Sequence, residues 1–254
     1  MFNTWLIHLH EWLNLDRWIN KLCAADEVVN FNARTRNEWV AYKASKIKQS
    51  VRVLDAGAGE CQYAPYFRHC DYKTQDFSQY SGTKSGILAE EWKYGKIDYV
   101  CDISNIPVPD ASFDVVLCTE VLEHVPKPIE VIEELARVLA PNGTLLLTAP
   151  LSSAIHQQPY HFYGGYSPFF YKKFLPEFGL DIKEIKPVGG LMKHVAQEVS
   201  RAGRVLEELA PDKRSLMLKY ILTCWLPKVL AKLDDEVFIE EFTVGYLIEA
   251  QKRG

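Results

Sequence analysis

Apolar positions along this chain follow two different periods. Val51, Val53 and Leu54 lead into Asp55, and the runs Val115-Val-Leu-Cys118 and Leu145-Leu-Leu147 are continuously apolar, as strands buried on both faces of a sheet are. Strands are therefore expected at 51–55, 72–76, 98–101, 113–118 and 143–149. Helical spacing occupies the stretch from Gly59 through Phe67, about 128–139, and Ser167 to Glu177, where Gly179 supplies a stop. Such alternation demands an α/β fold, a parallel sheet with helices on both faces. Leu180 to Ile185 resumes the sheet, and the alternating run Glu241-Phe-Thr-Val-Gly-Tyr-Leu-Ile-Glu-Ala250 would pair with it antiparallel. A helical cap (1–49), a core (50–187), a helical insertion (188–235) and a final strand (236–254) make one domain with appended helices.

The strand that ends in Asp55-Ala-Gly57-Ala-Gly59 is built to meet a ligand. Two residues without a Cβ let the backbone turn sharply and come close to a bound group. Asp76 ends the second strand about 20 residues further on, where a carboxylate accepts both hydroxyl protons of a ribose. A nicotinamide dinucleotide would want a third small residue where Gln62 stands, so an adenosine-containing cofactor of another kind fits better.

Three further segments carry a family likeness: Asp98-Tyr-Val-Cys-Asp-Ile-Ser-Asn-Ile-Pro-Val-Pro-Asp110, Ser112-Phe-Asp-Val-Val-Leu-Cys-Thr-Glu-Val-Leu-Glu-His-Val125, and Leu135 to Pro150. In this order and spacing they resemble the class I S-adenosylmethionine-dependent methyltransferases, in the group with ubiquinone-pathway and glycan-modifying enzymes, over about residues 50–187. The resemblance implies a Rossmann-like sheet whose final strand is reversed, and S-adenosylmethionine as cofactor. It places Asp55, Gly57 and Gly59 around the methionine and ribose, Asp76 at the ribose hydroxyls, and Asp102 with Ile103 at the adenine. Phe77 would cover the other adenine face or serve as a core aromatic.

Glu120-Val-Leu-Glu123-His124 is the candidate acceptor side. Its spacing brings two carboxylates and an imidazole to one side of a strand-to-helix junction. By resemblance to small-RNA 2′-O-methyltransferases and ubiquinone-pathway enzymes, His161 would complete a divalent metal site with Glu120, Glu123 and His124, and two imidazoles would suit a transition metal. The competing reading is metal-free, with His124 or His161 as general base and Glu120 orienting the cofactor. His156 reads as a solvated loop residue, and Tyr160, Tyr163 and Tyr166 as an aromatic lining for a cyclic, partly polar acceptor. His8, His10, His69 and His194 receive no role.

Composition narrows the partners. The net charge of −4 favours no polyanion, so a nucleic-acid substrate is not expected. Six cysteines show no Cys-x-x-Cys pairing, and Cys101 and Cys118 lie in apolar strands, as reduced thiols in a cytoplasmic protein do. Met1 to Leu13 is broken by His8, His10 and Glu11 and reads as an amphipathic helix, not a signal peptide. Leu216 to Leu233 is apolar but interrupted by Lys219, Pro227, Lys228 and Lys232, which suits a helix over the substrate pocket or a peripheral contact with a membrane, not a transmembrane span. The function expected is O-methylation of a hydroxyl on a saccharide or small natural-product intermediate, glycan or lipid-linked. The alternatives are a quinone or phenol acceptor and a catalytically silent cofactor-binding partner subunit.

Overall fold

A computed structural model describes residues 28, 30–82, 91–209 and 216–254. The chain divides into two compact units, Thr35–Val188 with Val244–Gly254, and Met1–Arg34 with Gly189–Thr243.

The first unit is a seven-stranded sheet. In chain order its strands are β1 (Arg52–Ala56), β2 (Asp71–Asp76), β3 (Tyr99–Val100), β4 (Phe113–Thr119), β5 (Leu139–Pro150), β6 (Leu180–Pro187) and β7 (Gly245–Lys252). They lie in the order β3-β2-β1-β4-β5-β7-β6. The first five pair in parallel, whereas β7 inserts antiparallel between β5 and β6, with Leu147 opposite Ile248 and Ile248 opposite Ile185. The reversed final strand is therefore as expected. β1 has β2 on one side and β4 on the other, so connections leave it toward both edges and a gap opens at its carboxyl end.

Helix α1 (Phe31–Lys46) buries Trp39 and Val40 on one face, and its Lys43 reaches Glu184 at 2.9 Å and Glu249 at 2.5 Å on the sheet. Helix α2 (Pro128–Val138) starts on a proline, whose missing N–H costs nothing in a first turn, and buries Val131, Ile132, Leu135, Ala136 and Val138. Its Arg137 pairs with Glu134 at 2.7 Å and donates to the carbonyls of Ile106 and Val108, pinning the proline-rich loop after β3. Helix α3 (Pro168–Glu177) ends before Gly179, which has the left-handed φ of +75°.

Two expectations need correction. The stretch after Gly59 is not an α-helix but a series of turns with one 3₁₀ turn, Ala64–Phe67. Cys61 takes a positive φ of 58° and Pro65 removes a donor, so no regular ladder can run through eight residues. The third strand shrinks to Tyr99–Val100. The reading of Met1 to Leu13 as a helix lies outside the described residues.

In the second unit α4 (Leu191–Leu209) packs on a helix that runs as α5 (Leu216–Tyr220), a π turn (Ile221–Trp225) and α6 (Leu226–Glu236). Asp234, 2% exposed, accepts the N–H groups of Gly190, Met192 and Lys193 at 2.9, 3.0 and 3.2 Å and so caps the start of α4 from across the interface. Cys61, Cys70, Cys101 and Cys118 are free, as expected for Cys101 and Cys118, while Cys224 is disulfide-bonded.

Candidate active site

The gap at the end of β1 is a cavity of about 620 Å³, a size suited to a small molecule. Gly57 (φ +75°) and Gly59 (φ +52°) form its base in backbone conformations that disfavour side chains. A Cβ on Gly57 would strike the Val121 side chain, and one on Gly59 would come within 2.7 Å of the Trp92 ring. Both glycines thus let the chain turn and let wall residues close in.

Asp76 lines the cavity, its carboxylate oxygens accepting the Gly59 N–H at 2.9 Å and the Ser78 N–H at 2.8 Å; burial pushes its pKa up. Phe77, Asp102 and Ile103 line it too. Asp102 Oδ1 accepts the N–H and hydroxyl of Ser104, both at 2.8 Å. Asp55 is the exception among the expected cofactor residues. It is 1% exposed, does not line the cavity, and accepts the Tyr72 hydroxyl; burial raises its pKa to about 7 against the opposing effect of that bond.

The opposite end is lined by Glu120, Val121 and His124 after β4 and by Gln157, Tyr160 and Phe162, with Glu123, His156 and His161 outside the lining. Glu120 sits at φ +53°, a left-handed value that residues with a Cβ rarely adopt, and each of its carboxylate oxygens has a partner. It accepts the Thr148 hydroxyl at 2.8 Å and pairs with Arg36 at 3.1 Å. Glu123, His124 and His156, by contrast, offer ligand atoms that all lie within 4.8 Å of one another. Of the four residues expected to hold a metal, Glu123 and His124 fall in this cluster and Glu120 is in an ion pair with Arg36, while His156, expected in solvent, joins the cluster. His161 stands beside it, its ring 4.7 Å from that of His156 and 5.9 Å from that of His124.

Hydrogen bonds fix how these rings present themselves. His124 Nδ1 lies 2.7 Å from the Tyr160 carbonyl and His156 Nδ1 2.9 Å from that of Ala154, so each Nδ1–H donates and each Nε2 keeps a lone pair. The Ser153 hydroxyl donates to the Gly164 carbonyl, so His161 Nε2 donates to Ser153 Oγ at 3.1 Å and leaves Nδ1 open. Burial lowers His124 to about 4 and lowers His161 as well, with neighbouring imidazoles adding to both. Glu123 is held well above the usual carboxylate range by burial and then by Glu120; its Oε2 is buried with no hydrogen-bond partner.

Residues 54–147 match the family described as Methyltransferase domain. The core is a class I S-adenosylmethionine-dependent methyltransferase domain. Across 67% of its length the chain is 28% identical to a glycine/sarcosine/dimethylglycine N-methyltransferase of Actinopolyspora halophila, covering 31% of that protein. A ubiquinone biosynthesis O-methyltransferase of Xanthomonas campestris pv. campestris is 54% identical over 37 residues, 15% of this chain and 16% of that one. The chain thus spans under a third of each of these curated relatives. A crystal structure of a Galdieria sulphuraria protein, described as a sarcosine dimethylglycine methyltransferase, shares the fold at a TM-score of 0.51 and 18% identity, over 87% of this chain and 86% of that one. These relatives include both N- and O-methyltransferases.

Among the residues that line the cavity, Arg36 and Trp92 carry no role in the sequence reading. Trp92 lines the cavity beside Tyr80, their rings 5.3 Å apart at 71°, and no local pattern marks it. Arg36 did leave a signal. It stands three and four residues before the buried Trp39 and Val40, so it shares the face of α1 that meets the sheet.

Proposed function

We propose that this chain transfers a methyl group from S-adenosylmethionine to a hydroxyl of a small, cyclic, partly polar acceptor such as a saccharide. Support for the cofactor comes from the cavity itself, with Gly57, Gly59, Asp76, Asp102 and Ile103 on its wall. Asp76 would hold the ribose, Asp102 the adenine amino group, and Ile103 and Phe77 the ring faces. Asp55 would stabilise the strand end from below. When bound, the sulfonium supplies an electrophilic methyl group; the protein aligns the acceptor, excludes water and handles the acceptor's proton.

The observation that carries the hydroxyl reading is His124, which lines the cavity with Nε2 open because Nδ1 is committed to Tyr160. Such a ring accepts the hydrogen bond of an acceptor hydroxyl and orients its oxygen. An amine arriving neutral needs less of this help. Tyr160, Phe162, Gln157 and Gln79 also line the cavity, an aromatic and amide mixture that favours a cyclic polar molecule. Production of S-adenosylhomocysteine by purified protein, assayed over saccharide, phenol, quinone and amine acceptors, tests the reading. Cofactor binding without turnover on any of them would favour a silent partner subunit, and turnover on amines alone would move the acceptor atom to nitrogen.

A divalent metal on the acceptor side is favoured by a specific observation: Glu123 has a buried Oε2 without a partner, and its carboxylate shares a compact cluster with the imidazoles of His124 and His156. Glu123, His124 and His156 would hold the ion, with His161 in reserve, and three imidazoles with one carboxylate suit a transition metal over magnesium. The ion would supply Lewis-acid polarisation of the acceptor. Elemental analysis and assays before and after chelation decide it. Full activity of metal-free protein would remove the ion from the reading.

A further inference from the structure

The helix that spans 216–236 has one face committed and one open. Cys224, Pro227 and Asp234 are buried, and Asp234 caps α4. Outward, Trp225, Val229 and Leu233 recur at the four-residue spacing that makes one stripe, at 51%, 36% and 40% exposure, and Met217 and Tyr220 are exposed before the π turn. Lys228 and Lys232 are exposed beside this stripe.

Charge says what such a face fits. Between Asp212 and Asp234 the sequence carries Lys213, Arg214, Lys219, Lys228 and Lys232 and no acid, in a chain whose net charge is −4. A stripe with tryptophan at its centre and long lysines at its rim matches the boundary between acyl chains and headgroups. There the ring sits at headgroup level, while lysine stems lie along apolar surface and keep their ammonium groups in water. No helix among the described residues is long and apolar enough to cross a membrane, so this one would lie on the surface. A second copy fits poorly, because face-to-face pairing sets lysines against lysines.

We propose that this face docks on an anionic lipid surface, with Trp225, Val229 and Leu233 entering the headgroup boundary and Lys228 and Lys232 meeting lipid phosphates. The proposal stands apart from the methyl-transfer reading and is tested without turnover. Full-length protein is sedimented with phosphatidylcholine vesicles, with and without phosphatidylglycerol, at low and high salt. Binding is expected only with phosphatidylglycerol, reversed by salt, and weakened about 30-fold in Lys228→Gln/Lys232→Gln, since each surface lysine contributes about a fivefold factor. Trp225→Ser should also weaken it while circular dichroism and cofactor binding stay unchanged. Three results would overturn the proposal: no vesicle binding, equal binding to both vesicle types, or a double lysine variant that binds like the parent. A dimer measured by light scattering, lost in Trp225→Ser and indifferent to vesicles, would assign the face to a second copy and overturn it too.

Discussion

The two ends of the crevice solve opposite problems. At the glycine-turn end the carboxylates are held by the protein: Asp76 takes two backbone N–H groups and Asp102 Oδ1 takes both donors of Ser104, while Trp92 Nε1 is buried without a partner. At and behind the opposite wall Glu123 keeps a buried oxygen without a partner, Glu120 holds a left-handed backbone, and the imidazoles of His124, His156 and His161 keep open lone pairs. Carboxylates that the backbone already holds in place contrast with a carboxylate and imidazoles whose bonds are left open. The first should respond to substitution mainly by geometry, and the second mainly by chemistry.

Gly57→Val is the strongest test of the geometric end. A branched side chain at φ +75°, aimed at Val121, should cost about 3 kcal/mol or more and abolish cofactor binding in calorimetry. Tight binding in this variant would take the loop out of the site.

The next effect separates Asp55 from the wall residues. Its folded pKa of about 7 lies above the reference of 3.8, so its contribution to stability is complete below 3.8 and lost as pH rises through about 7. About 4 kcal/mol is at stake by linkage, to order of magnitude. Thermal melts of Asp55→Asn should therefore flatten the fall in stability across that window. An unchanged pH dependence would mean the carboxyl is not buried as described.

Asp76→Ala is expected to weaken cofactor binding by about 1–3 kcal/mol through loss of a charge-assisted contact, with the melting temperature little changed. Binding equal to the parent would mean that Asp76 only organises the loop at Gly59.

The smallest effect links the two ends. Phe77 meets Tyr160 edge to face at 4.9 Å and 89°, and the Tyr160 carbonyl holds His124. A double-mutant cycle with Phe77→Leu and Tyr160→Leu should show about 1 kcal/mol of coupling in acceptor-dependent kcat/KM. Additive losses would make the ends independent.

The glycine turn and its carboxylate neighbour were legible in the sequence because their information is local. A buried strand, two glycines and a carboxylate at the next strand end lie close together, and the parallel order with a reversed final strand follows from apolar runs and their alternation. The helix expected after Gly59 was misplaced because its apolar spacing outweighed Pro65 and a positive φ at Cys61 that no pattern announces. On the opposite side the string Glu120 to His124 was visible, but its division was not. Arg36 claims Glu120 from a helix far away in sequence. His156 joins Glu123 and His124 only because the segment 151–166 folds back, with the Ser153 N–H on the Gly164 carbonyl at 2.6 Å and those of Phe162 and Tyr163 on Glu123.

Strand β7 lies inside the sheet although it follows both of its neighbours, β5 and β6, in the chain. On a ribosome the two flanking strands emerge first and have no edge to share until the intervening helices and then β7 are made. Until then β5 and β6 each present an open backbone edge, the state in which strands pair with the wrong partner. Closure of this sheet is thus a late, long-range event, and slow arrival of β7 should show in the cell as dependence on chaperones before it shows in the finished protein as lost stability.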